Sequence, residues 1–229
     1  MAANLTKKEL KQPDEFHTIG WKAIQYMSEH RSKFYTGGAV ALAIIILLGA
    51  WYFYRLNYEK NAEQMYTAAY MSYSLPDKAN DMKDAYLIAV EIYADLVEKY
   101  PDSRAATLSF YNMGNIYFNI GETEKSIEAY KTFLKKSREN NILTALAYYG
   151  LGYCYEKNKD YDNALKSFED SGKGIKGTRF ESINYANMAR IYEKMGEQKK
   201  ALEFYHKAVE KTDDPLMEMM AKSRIAALS

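Results

Sequence analysis

The chain has 229 residues, 27% of them charged and 48% hydrophobic, and 31 basic side chains against 30 acidic ones leave a net charge of +1. That balance lacks the basic footprint of a nucleic-acid-binding protein. The single cysteine, Cys154, excludes an internal disulfide and any multi-cysteine metal site while leaving the redox compartment open.

Residues 1–12 are polar and read as flexible. From Pro13 to His30 the spacing of Phe16, Ile19, Ala23 and Met27 predicts a short amphipathic helix, either a bilayer- or partner-facing surface or simply an ordered stub. The run from Gly37 to Tyr54, GGAVALAIIILLGAWYFY, then carries no charge. Counted from Phe34 it makes a helix roughly 31 Å long at about 1.5 Å per residue, enough to cross a hydrocarbon core. A cleaved secretory signal would have a shorter basic head and a shorter apolar stretch, followed by small residues, whereas Trp51, Tyr52, Phe53, Tyr54 and Arg55 follow here. The aromatics at both ends match a headgroup belt; the competing reading is a wholly buried helix of a soluble core. Lys22, Arg31 and Lys33 precede the run and Arg55 and Lys60 follow it, with Lys7, Lys8 and Lys11 further upstream. The positive-inside tendency therefore puts the N-terminus in the cytoplasm and the large domain across the membrane. The expected organisation is a cytoplasmic segment over residues 1–33, a transmembrane helix over 34–54 and a helical domain over 55–229.

That last domain repeats itself. FYNMGNIYFNIGETEKSIEAY from Phe110, YYGLGYCYEKNKDYDNALKSF from Tyr148 and YANMARIYEKMGEQKKALEFY from Tyr185 align without a gap. In each, an aromatic (Phe110, Tyr148, Tyr185) precedes by three Met113, Leu151 or Met188, and a small residue (Gly114, Gly152, Ala189) follows at once. Next come Tyr117, Tyr155 or Tyr192, then a small residue (Ser126, Ala164, Ala201) four before an aromatic (Tyr130, Phe168, Tyr205). Positions three and four apart share a helix face, and the small residues mark where paired helices come nearest. The pattern resembles the tetratricopeptide repeat, with offsets of 38 and 37 residues that put extra length into the connections Ser137 to Ile142 and Gly172 to Gly177. Ala89, Tyr93, Leu96 and Pro101 supply the second half of an earlier unit whose first helix, about Asn57 to Ser74, runs on from the span. Thr178 with Glu181 reads as a capping box, and Asp214 with Pro215 as the start of a capping helix ending near Leu228. The fold class is all-α: one transmembrane helix, then a solenoid of about four helical hairpins and a C-terminal capping helix.

Convergent catalytic groups are missing. His17, His30 and His206 fall in three regions, no G-x-S-x-G or H-E-x-x-H occurs, and Gly172 to Thr178 lacks the lysine and the preceding strand of a phosphate loop. The chain reads as a non-enzyme that calls for no cofactor, metal or small-molecule substrate. Stacked hairpins instead curve into a concave groove. By the repeat frame its inward positions are Tyr111, Asn115 and Phe118, then Tyr149, Tyr153 and Glu156, then Arg190 and Lys194. Rings flanked by a few polar groups favour extended or partly unfolded peptide; the same tyrosines would serve equally to pack neighbouring helices. Repeat proteins that clamp a C-terminal carboxylate use Lys and Asn in the first repeat and Lys with Arg in the third. Tyr111, Ile183 and Asn187 break that set here, and only Asn115 matches.

A charged head, a span ending WYFYR at residues 51–55, the helix NAEQMYTAAY at 61–70 and then tetratricopeptide units together resemble the YfgM-like family of bacterial inner-membrane proteins. The resemblance implies a periplasmic domain beside the SecYEG translocon, working with a membrane-anchored prolyl isomerase on emerging polypeptides. The expected function is a membrane-anchored chaperone or translocon-accessory module that binds polypeptide clients. The alternative is a scaffold for one stoichiometric envelope or respiratory complex.

Overall fold

The computed structural model describes residues 15–74, 82–137, 142–175, 177 and 180–229. Among them every regular element is helical: α1 (Glu15–Glu29), α2 (Arg31–Ser74), α3 (Met82–Lys99), α4 (Arg104–Ile120), α5 (Thr123–Lys136), α6 (Ile142–Lys157), α7 (Tyr161–Ile175), α8 (Phe180–Lys194), α9 (Gln198–Glu210) and α10 (Pro215–Leu228). They divide into two compact units, Met1–Asn57 and Tyr58–Ser229.

In the first unit the helix expected over Pro13 to His30 is α1, with its end at Glu29, where the Tyr26 ring stacks on His30 at 4.4 Å. Residues 1–12, Pro13 and the side chains of Phe16, Ile19 and Ala23 lie outside the described residues; Met27 is exposed. α2 is long and apolar enough to cross a membrane, and none of its most apolar stretch is buried.

The second unit is built from one repeated joint. At the end of α4, Gly121 takes φ +90° and donates its N–H to the Phe118 carbonyl at 3.2 Å while Glu122 N–H reaches the Tyr117 carbonyl at 2.9 Å. The same pair of bonds recurs after α6, from Lys159 and Asp160 to Glu156 and Tyr155, and after α8, from Gly196 and Glu197 to Glu193 and Tyr192. These are Schellman turns, which need a left-handed residue just past the helix. Each reverses the chain within two residues and lays the next helix antiparallel on the last.

What fills the joint is the aromatic four residues after the small one. Tyr130 of α5 lies flat between two helices: a Cβ on Gly114 would stand 2.7 Å from its ring, and one on Gly150 of the next repeat 2.5 Å. Phe168 of α7 occupies the same place against Gly152, fully buried, with Asn184 of the following helix donating to its carbonyl at 2.9 Å. Tyr205 packs on Ala189, and Tyr93 packs with Ala69, Ala89 and Ile116. The predicted close approach at Gly114 and Gly152 is thus observed, and Gly150 extends it to the next hairpin. Against the earliest hairpin, Asn112 of α4 donates to both the Tyr66 and Tyr93 hydroxyls, at 2.9 and 3.0 Å, which satisfies polar atoms inside an apolar joint.

The chain ends as the sequence pattern predicts. Asp214 caps α10 by accepting from the Leu216 and Met217 N–H groups at 2.9 and 3.4 Å, and Ala221 buries itself on α9. One connection differs from expectation. α7 continues through Gly172 to Ile175, so Gly172 to Gly177 is mostly helix, with Ser171 buried and Gly172 lying close to the Asn184 side chain of α8. Thr178 lies outside the described residues; Glu181 accepts the Gly177 N–H at 2.7 Å.

Candidate functional site

The eight groove positions fall on α4, α6 and α8, the first helices of three successive hairpins, but they form two groups. Tyr111 and Asn115 belong to a packed cluster: the Tyr111 ring lies 5.5 Å from Phe133 and 6.1 Å from Tyr130, and Asn115 Oδ1 accepts the Tyr130 hydroxyl at 2.6 Å. Burial pushes the Tyr111 phenol above its ordinary value, as expected for a joint-filling ring.

The other six are continuous across three helices. Phe118 lies 6.4 Å from the Tyr153 ring; Tyr153 meets Tyr149 edge-on at 5.0 Å, and their hydroxyls are 2.9 Å apart. The Tyr153 hydroxyl accepts from Asn187 Nδ2 at 2.9 Å, and the Arg190 guanidinium lies 5.6 Å from the Tyr153 ring centre. Arg190 then grips Glu156 with two bonds of 2.9 and 2.7 Å, and Lys194 adds a third at 2.8 Å. Burial disfavours the Glu156 charge, yet the donors from Arg190 and Lys194 outweigh it and hold the carboxyl below its usual range. One carboxylate between two cations leaves the triad positive. Arg190 fixed bidentately over a ring is a preorganised donor, unlike a free surface cation.

Beside this network opens a cleft of about 370 Å³, with Phe118, Tyr153 and Tyr161 as apolar lining and Lys157, Lys159 and Lys194 around it. The groove reading missed Lys157, Lys159, Tyr161 and Asn187. Asn187, one of the positions that break the carboxylate-clamp set, fixes the Tyr153 hydroxyl. The alignment carried a signal for Lys159, which stands where the other two repeats have Gly121 and Gly196.

Helix hairpins joined by repeated turns, with aromatic and charged side chains of the first helices aligned along one face, define a helical-repeat module for binding other proteins. The tetratricopeptide repeat-like domain family matches residues 25–229, and the chain belongs to that family. A 66-residue stretch is 38% identical to the photosystem I assembly protein Ycf3 of Prochlorococcus marinus, covering 29% of this chain and 38% of the length of that relative. Among solved structures, MamA is similar with a TM-score of 0.52 at 19% identity, over 67% of this chain and 90% of MamA. The crystal structure of Podosopora anserina putative kinesin light chain nearly identical TPR-like repeats gives 0.56 at 13% identity, over 73% and 85% of the two chains. These likenesses show the shared fold.

Proposed function

We propose that the chain is a membrane-anchored interaction module that holds extended or partly unfolded polypeptide on the face formed by α4, α6 and α8. The observation that carries this reading is the unbroken path from Phe118 through Tyr153 and Asn187 to Arg190, Glu156 and Lys194, which places rings and fixed donors side by side over three repeats. Rings bury area at low entropy cost, and held donors meet the backbone of an extended segment. The apolar stretch of α2 supplies the anchor; the charge bias around it favours a cytoplasmic N-terminus with the domain translocated, and the resemblance to the YfgM-like family supports the periplasmic side of a bacterial inner membrane. A tether raises the local concentration of whatever crosses the bilayer nearby, so weak binding suffices. The resemblance to the YfgM-like family supports a chaperone or translocon-accessory role beside SecYEG and a prolyl isomerase.

A scaffold reading draws on a different surface, the exposed Leu216, Met219 and Met220 of α10. In-cell photo-cross-linking separates the two. A benzoylphenylalanine at Phe118 is expected to capture many unfolded or emerging chains. One stoichiometric adduct, obtained from Met219 and not from Phe118, would establish the scaffold and overturn the client-binding reading.

A further inference from the structure

Three successive hairpins end their first helix with the same left-handed turn, and in two of them the turn residue is glycine, Gly121 at φ +90° and Gly196 at φ +77°. The middle hairpin places Lys159 there at φ +61°. A side chain in this region crowds the following carbonyl, so glycine is the residue the backbone prefers. Asn158, a type that tolerates the left-handed region better, stands one position earlier. A lysine kept in an unfavourable backbone conformation raises the question of what its ammonium does.

Its surroundings give an answer in charge. Lys159 borders the cleft floored by Phe118 and Tyr153, and Lys157 reaches over the Phe118 ring at 5.4 Å. The acidic group in the lining is Glu156, already held by Arg190 and Lys194. Neighbouring Asp160 accepts from Asn163, through bonds of 3.3 and 2.7 Å that orient its carboxylate but leave its charge, so Glu156 and Asp160 stand against Lys157, Lys159, Lys194 and Arg190. Among the described residues neither Lys157 nor Lys159 forms an ion pair. The cleft is therefore an aromatic floor under an excess of cations, complementary to an apolar side chain with carboxylates on either side of it.

Resting on the client-binding reading above, we infer that the cleft selects acidic polypeptide segments, an aromatic or large aliphatic side chain entering over Phe118 and Tyr153 while flanking aspartates or glutamates meet Lys157, Lys159 and Lys194. Lys159 is the selecting residue, present for its charge at the expense of the turn.

The test uses the full chain in neutral phosphatidylcholine nanodiscs and two fluorescein-labelled peptides. One has a central phenylalanine flanked by aspartates, the other the same phenylalanine flanked by asparagines. Fluorescence anisotropy is expected to show tighter binding of the acidic peptide. Lys159→Gly should weaken that peptide by about two- to fivefold, the range for a partly exposed ion pair, and leave the neutral peptide unchanged. The same substitution should raise the melting temperature by about 1–4 °C, because it relieves the left-handed strain. Lys159→Arg should retain acidic-peptide binding. Stability and affinity thus move in opposite directions, which a merely structural lysine would not produce. Equal binding of both peptides, unchanged by Lys159→Gly, would overturn the acidic preference while leaving the groove in place. Binding of neither peptide would overturn the preference together with the client-binding reading. Binding of short-chain phosphatidylglycerol at this cleft, lost in Lys159→Gly, with no peptide bound, would assign the cations to lipid headgroups and overturn the inference.

Discussion

Replacing Gly152 by alanine sets two effects of opposite sign against each other. In the interior of α6 the added methyl improves helix propensity by about 1 kcal/mol. It also lands 2.6, 2.7 and 2.8 Å from three carbons of the Phe168 ring, well inside the roughly 3.5–4.0 Å at which carbons rest against each other. The ring has nowhere to go: Tyr149 and Tyr153 bracket it at 5.8 and 5.6 Å, and Asn184 holds its own backbone carbonyl. Overpacking of this kind costs about 1–3 kcal/mol, and a fully hemmed ring belongs in the upper half of that range. The net expectation is a loss of about 1–2 kcal/mol, or about 3–6 °C in the melting temperature of a unit this size, read by circular dichroism of the full chain in detergent. Phe168→Leu should be destabilising alone yet should recover part of the loss when combined with Gly152→Ala, a coupling of about 0.5 kcal/mol or more. A rise in melting temperature for Gly152→Ala, as at an open helical glycine, would refute the argument that this glycine exists to admit the ring.

Two further outcomes follow from the charges and the last cap. Because the folded Glu156 carboxyl titrates below its unfolded value, its contribution is complete above about pH 4.3, the ordinary glutamate value, and is lost as pH falls below that through the lowered folded value. Glu156→Gln should therefore cost about 1–2 kcal/mol at neutral pH and flatten the acid limb of a stability-against-pH curve; an unchanged acid limb would mean that the triad contributes nothing. Asp214→Ala removes the acceptor for two N–H groups of α10 and should cost about 1 kcal/mol, with early loss of amide protection confined to Pro215–Leu228 by hydrogen exchange. Uniform loss of protection along the chain would contradict the assignment of that effect to the cap.

The hairpins were legible because their causes are local. An aromatic four residues after a small one is a demand that one hairpin makes of itself, and a gapless alignment exposes it. The network from Phe118 to Lys194 was only half legible because its bonds join residues 34 and 38 positions apart, such as Glu156 with Arg190 and with Lys194. The repeat frame placed these side chains on one face but could not say that the acid was already matched, which decides the charge a partner meets. Tyr111 and Asn115 show the converse: the frame pointed them inward, and the ring of Tyr130 took them up as packing. Gly150 escaped notice because it answers to the neighbouring hairpin, through the hydroxyl end of Tyr130, and not to the helix that carries it.

Repetition supplies its own control for separating structure from function. Where all three repeats agree, as at the aromatic that fills each joint, the shared physical demand explains the residue. Where one repeat departs and the departure improves its own packing, structure still suffices: Ala189 replaces glycine beside Tyr205 and gains helix propensity. Lys159 departs and gains nothing for the fold, since the turn bonds from Lys159 and Asp160 are those that Gly121 and Glu122 make without strain. A residue that its backbone disfavours must be accounted for by something outside the backbone, and the unmatched cations around Phe118 and Tyr153 point to a negatively charged partner.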